Sequence, residues 1–262
     1  AMVHSMSIDG LHKNNDSFVP FGEQNVPANE KEALVREVFN NVANRYDLMN
    51  DLMSAGLHRL WKQKLIDKLL EHPTNHLLDL AGGSGDIALS FLQQDKSQTG
   101  QVTICDINFE MLVVGRNRAW DNGHLDKLNW MVGNGEALPF PDGYFDACTL
   151  SFGLRNMTHP EIAIAEIYRV LKPGGKFLLL EFTPDVVPPL QKLYEIYTQR
   201  VIPIIGRQFA NNMDAYVYLV DSIRRFYKAE EITRVLKTHG FAGIRNRKLT
   251  AGIASLHSAW RA

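Results

Sequence analysis

A glycine-rich turn near residue 80 is the first part of the sequence whose residue types could hold a ligand. The run Leu-Leu-Asp-Leu at 77–80 leads into Ala-Gly-Gly-Ser-Gly-Asp at 81–86, and a helical pattern begins at Ile87. Glycine permits a positive φ and a close approach of a ligand to the backbone, while the first turn of a helix offers free N–H groups. The turn therefore indicates a site for a nucleotide-like ligand. The alternative is that each glycine serves the turn alone.

The spacing of this turn fits the dinucleotide class of cofactor. Gly83 and Gly85 match the glycine pattern of dinucleotide-binding proteins. Asp106 lies about 20 residues farther on at the end of the next predicted strand, where an acceptor for ribose hydroxyls is expected. A solvated strand end is the alternative interpretation of Asp106. This pattern alone is a weak signal.

Acidic residues beside the turn favour S-adenosylmethionine over NAD. The carboxylates of Asp79 and Asp86 would repel a pyrophosphate at close range, but they suit a ligand that carries an ammonium and a sulfonium group. The loop after the third predicted strand, at 133–140, could also place amide groups within hydrogen-bonding distance of the edge of an adenine ring. We therefore predict that S-adenosylmethionine is the cofactor.

The elements that position these residues alternate between short apolar strands and helical segments. Strands are predicted at 76–80, 102–106, 128–132, 146–151 and 176–182, helices at 87–94, 109–122 and 161–171, and two final strands at 244–249 and 253–260. Continuous apolar strands are buried on both faces, and β–α alternation requires a parallel sheet with right-handed crossovers. We predict an α/β fold with a doubly wound, mostly parallel sheet that binds ligands at the carboxyl ends of its strands.

Two segments lie outside this alternation. Apolar residues recur at three- and four-residue spacing from 30 to 52, which predicts an amphipathic helix, and a second helical stretch covers 60–70. Another helix-prone, aromatic-rich segment lies between residues 182 and 230, before a predicted helix at 230–239, and the sheet needs neither segment for completion. The predicted organisation is a flexible arm at 1–29 and one domain at 30–262, with cover helices at 30–70 and a lid insertion at about 185–228. We expect the cover and the lid to meet over the carboxyl ends of the strands.

Composition excludes several classes of function. Lys and Arg number 28 against 29 Asp and Glu, so the net charge of -1 provides no field that would hold a nucleic acid. Cys105 and Cys148 stand in separate apolar runs without partners at ligand spacing, which predicts buried thiols rather than a disulfide or a zinc site. No pattern of divalent-metal ligands occurs, and the apolar run at 201–205 is far shorter than the ~20 residues of a membrane span. Any membrane contact is therefore expected to be peripheral.

Four motifs, in this order, resemble the ubiquinone/menaquinone biosynthesis C-methyltransferase family. They are YDLMNDLMSAGLHRLW at 46–61, DLAGGSGD at 79–86, SFGLRN at 151–156 and RVLKPGGKFLLLEF at 169–182, and the likeness spans about 21–260. The resemblance implies the class I S-adenosylmethionine-dependent methyltransferase fold with a helical cover. It also implies a set of cofactor contacts, namely Gly82, Gly83, Ser84, Gly85, Asp106, Asn134, Gly135 and Ser151. Reasoning from the residues agrees with this set except for Ser151.

The resemblance further implies methylation of a ring carbon of a polyprenyl benzoquinol, which requires an electron-rich ring. Arg155, just past the fourth strand, would stabilise a developing phenolate first and assist water-mediated proton removal second. The alternative for Arg155 is a salt bridge to an acid such as Asp106 or Glu181. Tyr46 would donate a hydrogen bond to a quinol oxygen, or it would pack in the core, since it also occupies an apolar helical position.

Two other functions stay open at the level of sequence. One is a methyltransferase for another small acceptor, such as a sterol or a phenol. The other is a non-catalytic subunit that binds the cofactor or the quinol in a quinone-biosynthesis assembly. The expected partners are the polyprenyl quinol, a membrane surface or other quinone-biosynthesis proteins in peripheral contact, and a second copy of the chain in a homodimer.

The location predicted from the sequence depends on small details of two motifs. Ile-Ala at 87–88 and Thr-His at 158–159 resemble the eukaryotic members of the family slightly more. The preferred location is therefore the matrix face of the mitochondrial inner membrane, and the bacterial cytoplasm is the alternative.

Overall fold

A mostly parallel sheet of seven strands forms the centre of the described chain. The computed structural model describes residues 17–40, 50–51, 54–95, 100–121, 123, 125–197 and 213–262. The strands are β1 (Phe18–Phe21), β2 (Gln24–Pro27), β3 (His76–Leu80), β4 (Gln101–Asp106), β5 (Leu128–Val132), β6 (Phe145–Ser151), β7 (Leu171–Phe182), β8 (Phe241–Leu249) and β9 (Ala254–Arg261). The sheet order is β5-β4-β3-β6-β7-β9-β8, and β9 runs antiparallel to both of its neighbours. The predicted doubly wound fold is confirmed.

Helices flank this sheet on both faces. They are α1 (Ala28–Asn40), α2 (Leu57–Leu70), α3 (Asp86–Gln94), α4 (Phe109–Asp121), α5 (Pro160–Val170), α6 (Pro188–Ile196), α7 (Met213–Arg224) and α8 (Ala229–Thr238). None of these described helices has both the length and the apolar character that a membrane crossing requires. Much of the predicted cover between 41 and 53, and the middle of the predicted lid at 198–212, lies outside the described residues.

The strands are buried because successive side chains enter two separate clusters. Leu77 and Leu178 pack with α2 and α3 on one face, whereas Leu78 and Leu179 pack with α5 and α8 on the other. All four side chains are 0% exposed. The period of two along a strand therefore divides one apolar run between two cores.

The register of the parallel strands places the turns of interest at one edge. Leu80 pairs with Cys105 of β4 and with Leu150 of β6, so β3, β4 and β6 end side by side. Asp106 pairs with Val132 at the end of β5. The glycine turn and the connections after β4, β5 and β6 consequently meet at the carboxyl edge, where ligands bind in sheets of this kind.

The N-terminal segment differs from the predicted flexible arm at 1–29. Residues 18–27 form the β1–β2 hairpin, which turns at Gly22 with φ +56. Arg225 fastens the hairpin to the C-terminal end of α7, because its guanidinium donates to Gly22 O over 3.0 Å and to Gln24 O over 2.9 Å. The rings of Phe21 and Tyr218 pack 4.6 Å apart. The arm prediction is thus wrong for 18–27, because these contacts come from residues about 200 positions away in the chain.

Candidate active site

A pocket opens at the carboxyl edge of the sheet, between the glycine turn, α1 and the connections after β4, β5 and β6. Its empty volume is about 1060 Å³, part of which is open to solvent. The predicted cofactor residues that line it are Gly82, Gly83, Ser84, Asp106, Asn134, Gly135 and Ser151. The structure therefore brings together residues that the sequence distributes over four strand ends.

Asp106 is the acceptor predicted at the end of β4. Its Oδ2 accepts a hydrogen bond from Gly83 N over 2.9 Å, and its Oδ1 accepts one from Asn108 N over 2.8 Å. Burial raises the pKa of Asp106 above the ordinary aspartate value, while these backbone donors act against the increase. A carboxylate has about four acceptor positions, so the fixed group can also accept from a pair of ribose hydroxyls.

The three glycines of the turn lack side chains for different reasons. Gly83 and Gly85 have φ of +53 and +79, the left-handed region that favours glycine. A Cβ on Gly82 would lie 2.8 Å from Asp79 Oδ2, so there is no room for one. A Cβ on Gly85 would lie 3.0 Å from Trp130 Cη2, which shows that Gly85 faces the interior and serves the turn rather than the pocket wall.

Asp79 is a buried carboxyl group at the floor of the pocket. It is 1% exposed; its Oδ1 accepts from Thr149 Oγ1 over 2.8 Å, and its Oδ2 has no hydrogen-bond partner among the described residues. Burial raises the pKa of Asp79 to about 7, although the Thr149 hydrogen bond acts against this. A nearby cation would favour the ionised form, so Asp79 suits a ligand with a positive charge.

Asp79→Asn is expected to stabilise the cofactor-free protein increasingly as the pH rises from 5 to 8. The folded-state pKa of about 7 lies above the unfolded value of 3.8, so the stability that the protonated group provides is lost as the pH rises through 7. Because one pKa unit corresponds to about 1.4 kcal/mol, the gain of the variant over the wild type should grow by about 2–3 kcal/mol between pH 5 and pH 8, and most of this growth should occur below pH 7. Urea unfolding at several pH values measures it, and a difference that does not vary with pH would contradict the raised pKa.

Asp86 does not contribute the uncompensated negative charge that was expected beside the turn. Lys62 Nζ donates to Asp86 Oδ2 over 2.8 Å, and Arg118 Nη1 lies 3.4 Å from Asp86 Oδ1. Burial acts to raise the pKa of Asp86, but the charge and hydrogen bond of Lys62 and the charge of Arg118 lower it overall. The predicted preference for a cationic ligand therefore depends on the carboxyl group of Asp79 alone and not on Asp79 and Asp86 together.

Helix α1 covers one side of the pocket. Its lining side chains are Glu32, Val35, Arg36 and Phe39. Asn134 Nδ2 donates to Glu32 Oε2 over 3.0 Å, which ties α1 to the connection after β5. The sequence predicted the cover helix with Val35 and Phe39 on its apolar face, but not Glu32 or Arg36, because an amphipathic pattern does not tell which polar side chains of a helix reach a ligand.

The connection after β6 forms the opposite wall. Ser151 Oγ is buried and has no hydrogen-bond partner among the described residues, and it lies on the pocket wall. The next residue, Phe152, has a φ of +59, which is unusual for a residue other than glycine. Its N–H donates a hydrogen bond to Leu180 O over 2.8 Å, which stabilises this conformation. The free hydroxyl and the turned backbone leave a polar group at the end of β6 for a ligand.

Arg155 lies behind this wall in a buried ion pair. Its Nη1 donates to Glu181 Oε1 and to Phe152 O, each over 2.7 Å, and the two charged side chains are 2% and 0% exposed. The guanidinium also stands 5.4 Å from the ring centre of Phe182, and its Nε has no hydrogen-bond partner among the described residues. Of the two acids weighed for a salt bridge, Glu181 is the partner.

Tyr46 lies outside the described residues, but other tyrosines approach Arg155. Tyr194 on α6 has a buried hydroxyl without a hydrogen-bond partner among the described residues. Burial raises its pKa to about 12, and the charge of Arg155 acts in the opposite direction. Tyr218 on α7 donates to Asn156 Oδ1 over 3.1 Å, and Asn156 lines the pocket. The described parts of the lid thus place phenols beside the connection after β6.

Gly115 supports the glycine turn from outside the pocket, and the sequence analysis did not single it out. It lies in the middle of α4, and a Cβ on it would come within 2.7 Å of Ser84 O and 2.6 Å of Trp130 Cζ3. The lack of a side chain allows α4 to pack directly against the glycine turn. An isolated glycine inside a helical pattern was the available signal.

Gly115→Ala is expected to cost about 1–3 kcal/mol of stability and to weaken cofactor binding, because the new methyl group must displace Ser84 or Trp130. Thermal unfolding and calorimetric titration with S-adenosylhomocysteine measure the two effects. Gly123→Ala is a control for a glycine with open space around it but with φ +71, so it should cost stability through the backbone alone and leave affinity unchanged. Equal affinities of Gly115→Ala and the wild type would show that the turn tolerates the shift.

The residues of this pocket fit S-adenosylmethionine. Asp106 offers acceptors for ribose hydroxyls, and Asp79 offers an unpaired carboxyl oxygen for a cationic group. Gly82 has no side chain, so a ligand can approach the backbone of the turn. A family model described as the ubiE/COQ5 methyltransferase family matches residues 27–261. The chain belongs to this family. It is an S-adenosylmethionine-dependent methyltransferase.

Relatives in the ubiE/COQ5 methyltransferase family match nearly the whole chain. A ubiquinone/menaquinone biosynthesis C-methyltransferase UbiE from Dinoroseobacter shibae is 46% identical over 96% of this chain and 100% of its own. The protein of the same name from Paracoccus denitrificans is 48% identical over 92% of this chain and 96% of its own. The resemblance found in the four sequence motifs is confirmed.

Solved structures support the fold of this ubiE/COQ5 family member. A Thermotoga maritima S-adenosylmethionine-dependent methyltransferase superposes with a TM-score of 0.60 at 16% identity, covering 87% of this chain and 100% of its own. A Haemonchus contortus phosphoethanolamine N-methyltransferase, in complex with S-adenosylmethionine, gives a TM-score of 0.55 at 17% identity, covering 77% and 52%. At these identities the likeness concerns the fold alone, and it confirms the predicted doubly wound α/β fold.

Proposed function

We propose that this protein methylates a ring carbon of a polyprenyl benzoquinol or naphthoquinol in ubiquinone or menaquinone biosynthesis. The observation that carries the proposal is the 46–48% identity, over nearly full length, to relatives named for that biosynthesis. The apolar α1 side chains Val35 and Phe39 on the pocket wall suit an aromatic acceptor.

The chemistry assigns a limited task to the protein. S-adenosylmethionine, when bound, supplies an electrophilic methyl group, so the protein has to align the ring carbon and manage one phenolic proton. We assign Asp106 to the ribose hydroxyls and Asp79 to the ammonium of the cofactor. Ser84 and Ser151 are assigned to further polar contacts. The glycine turn brings its backbone close to the cofactor.

Arg155 is proposed to stabilise negative charge on the quinol oxygen. Its ion pair with Glu181 fixes the guanidinium, and a guanidinium retains its proton, so it acts as a donor rather than as a base. The unpaired Nε and the position between the pocket residues at 151–153 and those at 156–158 support this assignment. Proton removal then proceeds through water, with Tyr46 proposed as a hydrogen-bond donor to the quinol.

Tyr194→Phe is expected to raise KM for the quinol or lower kcat about tenfold while leaving stability unchanged or slightly increased. The hydroxyl has no partner among the described residues, so its removal breaks no hydrogen bond within that part of the fold. Steady-state kinetics with a short-chain quinol and thermal unfolding measure both effects. Tyr168→Phe is the control, because the Tyr168 hydroxyl contacts the carbonyl of Ala262 instead. Wild-type kinetics of Tyr194→Phe would exclude Tyr194 from the quinol site.

The finer assignments of location and partners are part of the proposal. Peripheral contact with a membrane or with other quinone-biosynthesis proteins follows from the lipid tail of the proposed acceptor, and a homodimer is a further proposal. The relatives cited above are bacterial and lend no support to the mitochondrial preference, so a bacterial cytoplasmic face is the alternative that they favour.

Detection of methyl transfer to a short-chain quinol tests the function. Mass spectrometry of the product should show one added methyl on a ring carbon, and Asp106→Ala should slow its formation. Transfer to a sterol or simple phenol but not to a quinol would favour the alternative acceptor class. Cofactor binding without transfer to any of these acceptors would favour a non-catalytic subunit and would contradict the proposal.

A further inference from the structure

Lys31 is a buried cation in the helix that covers the cofactor pocket. It is 4% exposed, and its Nζ donates to Met157 O over 2.7 Å, a contact between residues 126 positions apart. The neighbouring Glu32 and Met157 itself both line the pocket. Burial of an ammonium group costs free energy unless the group is hydrogen-bonded and lies near an opposite charge. The contact between α1 and the connection after β6 therefore depends on the hydrogen bonds and charges around Lys31.

Glu136 supplies the negative charge that faces Lys31. Its Oε1 accepts from Thr158 N over 2.7 Å and from His159 N over 3.1 Å, so the carboxylate is held by the connection after β6. Burial lowers the pKa of Lys31 to about 8, and the charge of Glu136 limits the decrease. Lys31 therefore links α1 directly to the connection after β6, and the charge of Glu136, from the connection after β5, favours its protonated form.

Other hydrogen bonds attach α1 across the same opening. Asn134 Oδ1 accepts from Glu136 N over 2.8 Å, while Asn134 Nδ2 donates to Glu32. At the far end of α1, Asn108 Nδ2 donates to Asn40 Oδ1 over 2.8 Å. The helix is thus fastened at both ends above the residues assigned to the cofactor, and its first turn depends on Lys31 and Glu32.

We propose that Lys31 is a positioning residue that holds α1 over the cofactor pocket and so slows the exchange of S-adenosylmethionine and its product. Lys31 acts through Met157 and Glu136 and does not touch the reacting atoms. Loss of its charge removes the attraction to Glu136 and leaves the first turn of α1 less firmly attached. The inference rests on the proposed function only through the cofactor and makes no claim about the methyl acceptor.

The direct test is the rate at which S-adenosylhomocysteine leaves full-length Lys31→Met, with its Kd from calorimetry. We expect about tenfold faster dissociation and about tenfold weaker binding, which corresponds to the loss of one charge-assisted hydrogen bond. Lys176→Met is the matched control, because Lys176 is also buried and donates to a backbone carbonyl, that of Lys68, away from the pocket. The control should leave the Kd within about twofold of the wild type even if it lowers Tm.

The pH dependence of the wild type provides a second test that needs no folded Lys31→Met. Dissociation of S-adenosylhomocysteine should accelerate as the pH rises through about 8, where Lys31 loses its proton, and Lys31→Arg should remove the acceleration because arginine stays charged. The titration of Asp79 near pH 7 is largely complete before this range. A wild-type rate that is flat between about pH 7.5 and 9.5, an equal acceleration in Lys31→Arg, or wild-type exchange in folded Lys31→Met would overturn the inference. Because the readout is product binding, such a failure is distinct from a lack of methyl transfer to a quinol.

Discussion

Replacing Arg155 with leucine is expected to lower the free energy of unfolding by about 3–5 kcal/mol. The reason is that Glu181, which is 0% exposed, would keep a buried carboxylate after losing the guanidinium 2.7 Å away. The carbonyl of Phe152 would lose a donor at the same time. Denaturant unfolding followed by circular dichroism measures the loss, and a variant as stable as the wild type would contradict the energetic role of the ion pair.

Two further variants separate the charge of Arg155 from its shape. The double variant Arg155→Leu with Glu181→Leu removes both buried charges and should recover most of the lost stability. Arg155→Lys keeps a positive charge, so cofactor affinity should be retained, but turnover should fall because a point ammonium cannot reproduce the planar set of donors. Full methylation activity in Arg155→Lys would assign Arg155 to structure alone.

Replacing Asp106 with alanine is expected to weaken S-adenosylmethionine binding by about 1.5–3 kcal/mol, or roughly 10- to 150-fold in Kd. The ribose hydroxyls would lose a charged acceptor, and Gly83 N would lose the oxygen that holds the turn at 2.9 Å. Isothermal titration calorimetry measures the change. Asp126→Ala is the control, because Asp126 is exposed and lies on a short helical turn away from the pocket wall.

The fold of the Asp106 variant decides how the result is interpreted. A circular dichroism spectrum like that of the wild type, together with the weaker Kd, would support the assignment of Asp106 to the cofactor. Unchanged affinity for S-adenosylmethionine would exclude it. A partial effect that disappears in Asp106→Asn would show that a neutral acceptor is enough for the ribose.

The sequence by itself determined the strand, the glycine turn and the helix that follows it. These elements depend on local patterns, namely a continuous apolar run at 76–80, glycines at three positions of one turn and an apolar helical period after it. The parallel order of the sheet also followed, because β–α alternation allows few other topologies. Asp106 could then be placed at the carboxyl edge, since parallel strands end together there, whereas Ser151 followed only from the resemblance to the family.

Only the tertiary structure decided the charge state and the partners of the side chains in the site. The partner of Asp86 is Lys62 on a preceding helix, Arg155 pairs with Glu181, and Lys31 bonds a carbonyl 126 residues away. Such pairs depend on how separate elements pack, and no periodicity within one segment encodes them. The pKa of about 7 for Asp79 likewise follows from burial beneath the glycine turn, which is a property of the packed structure and not of the local sequence.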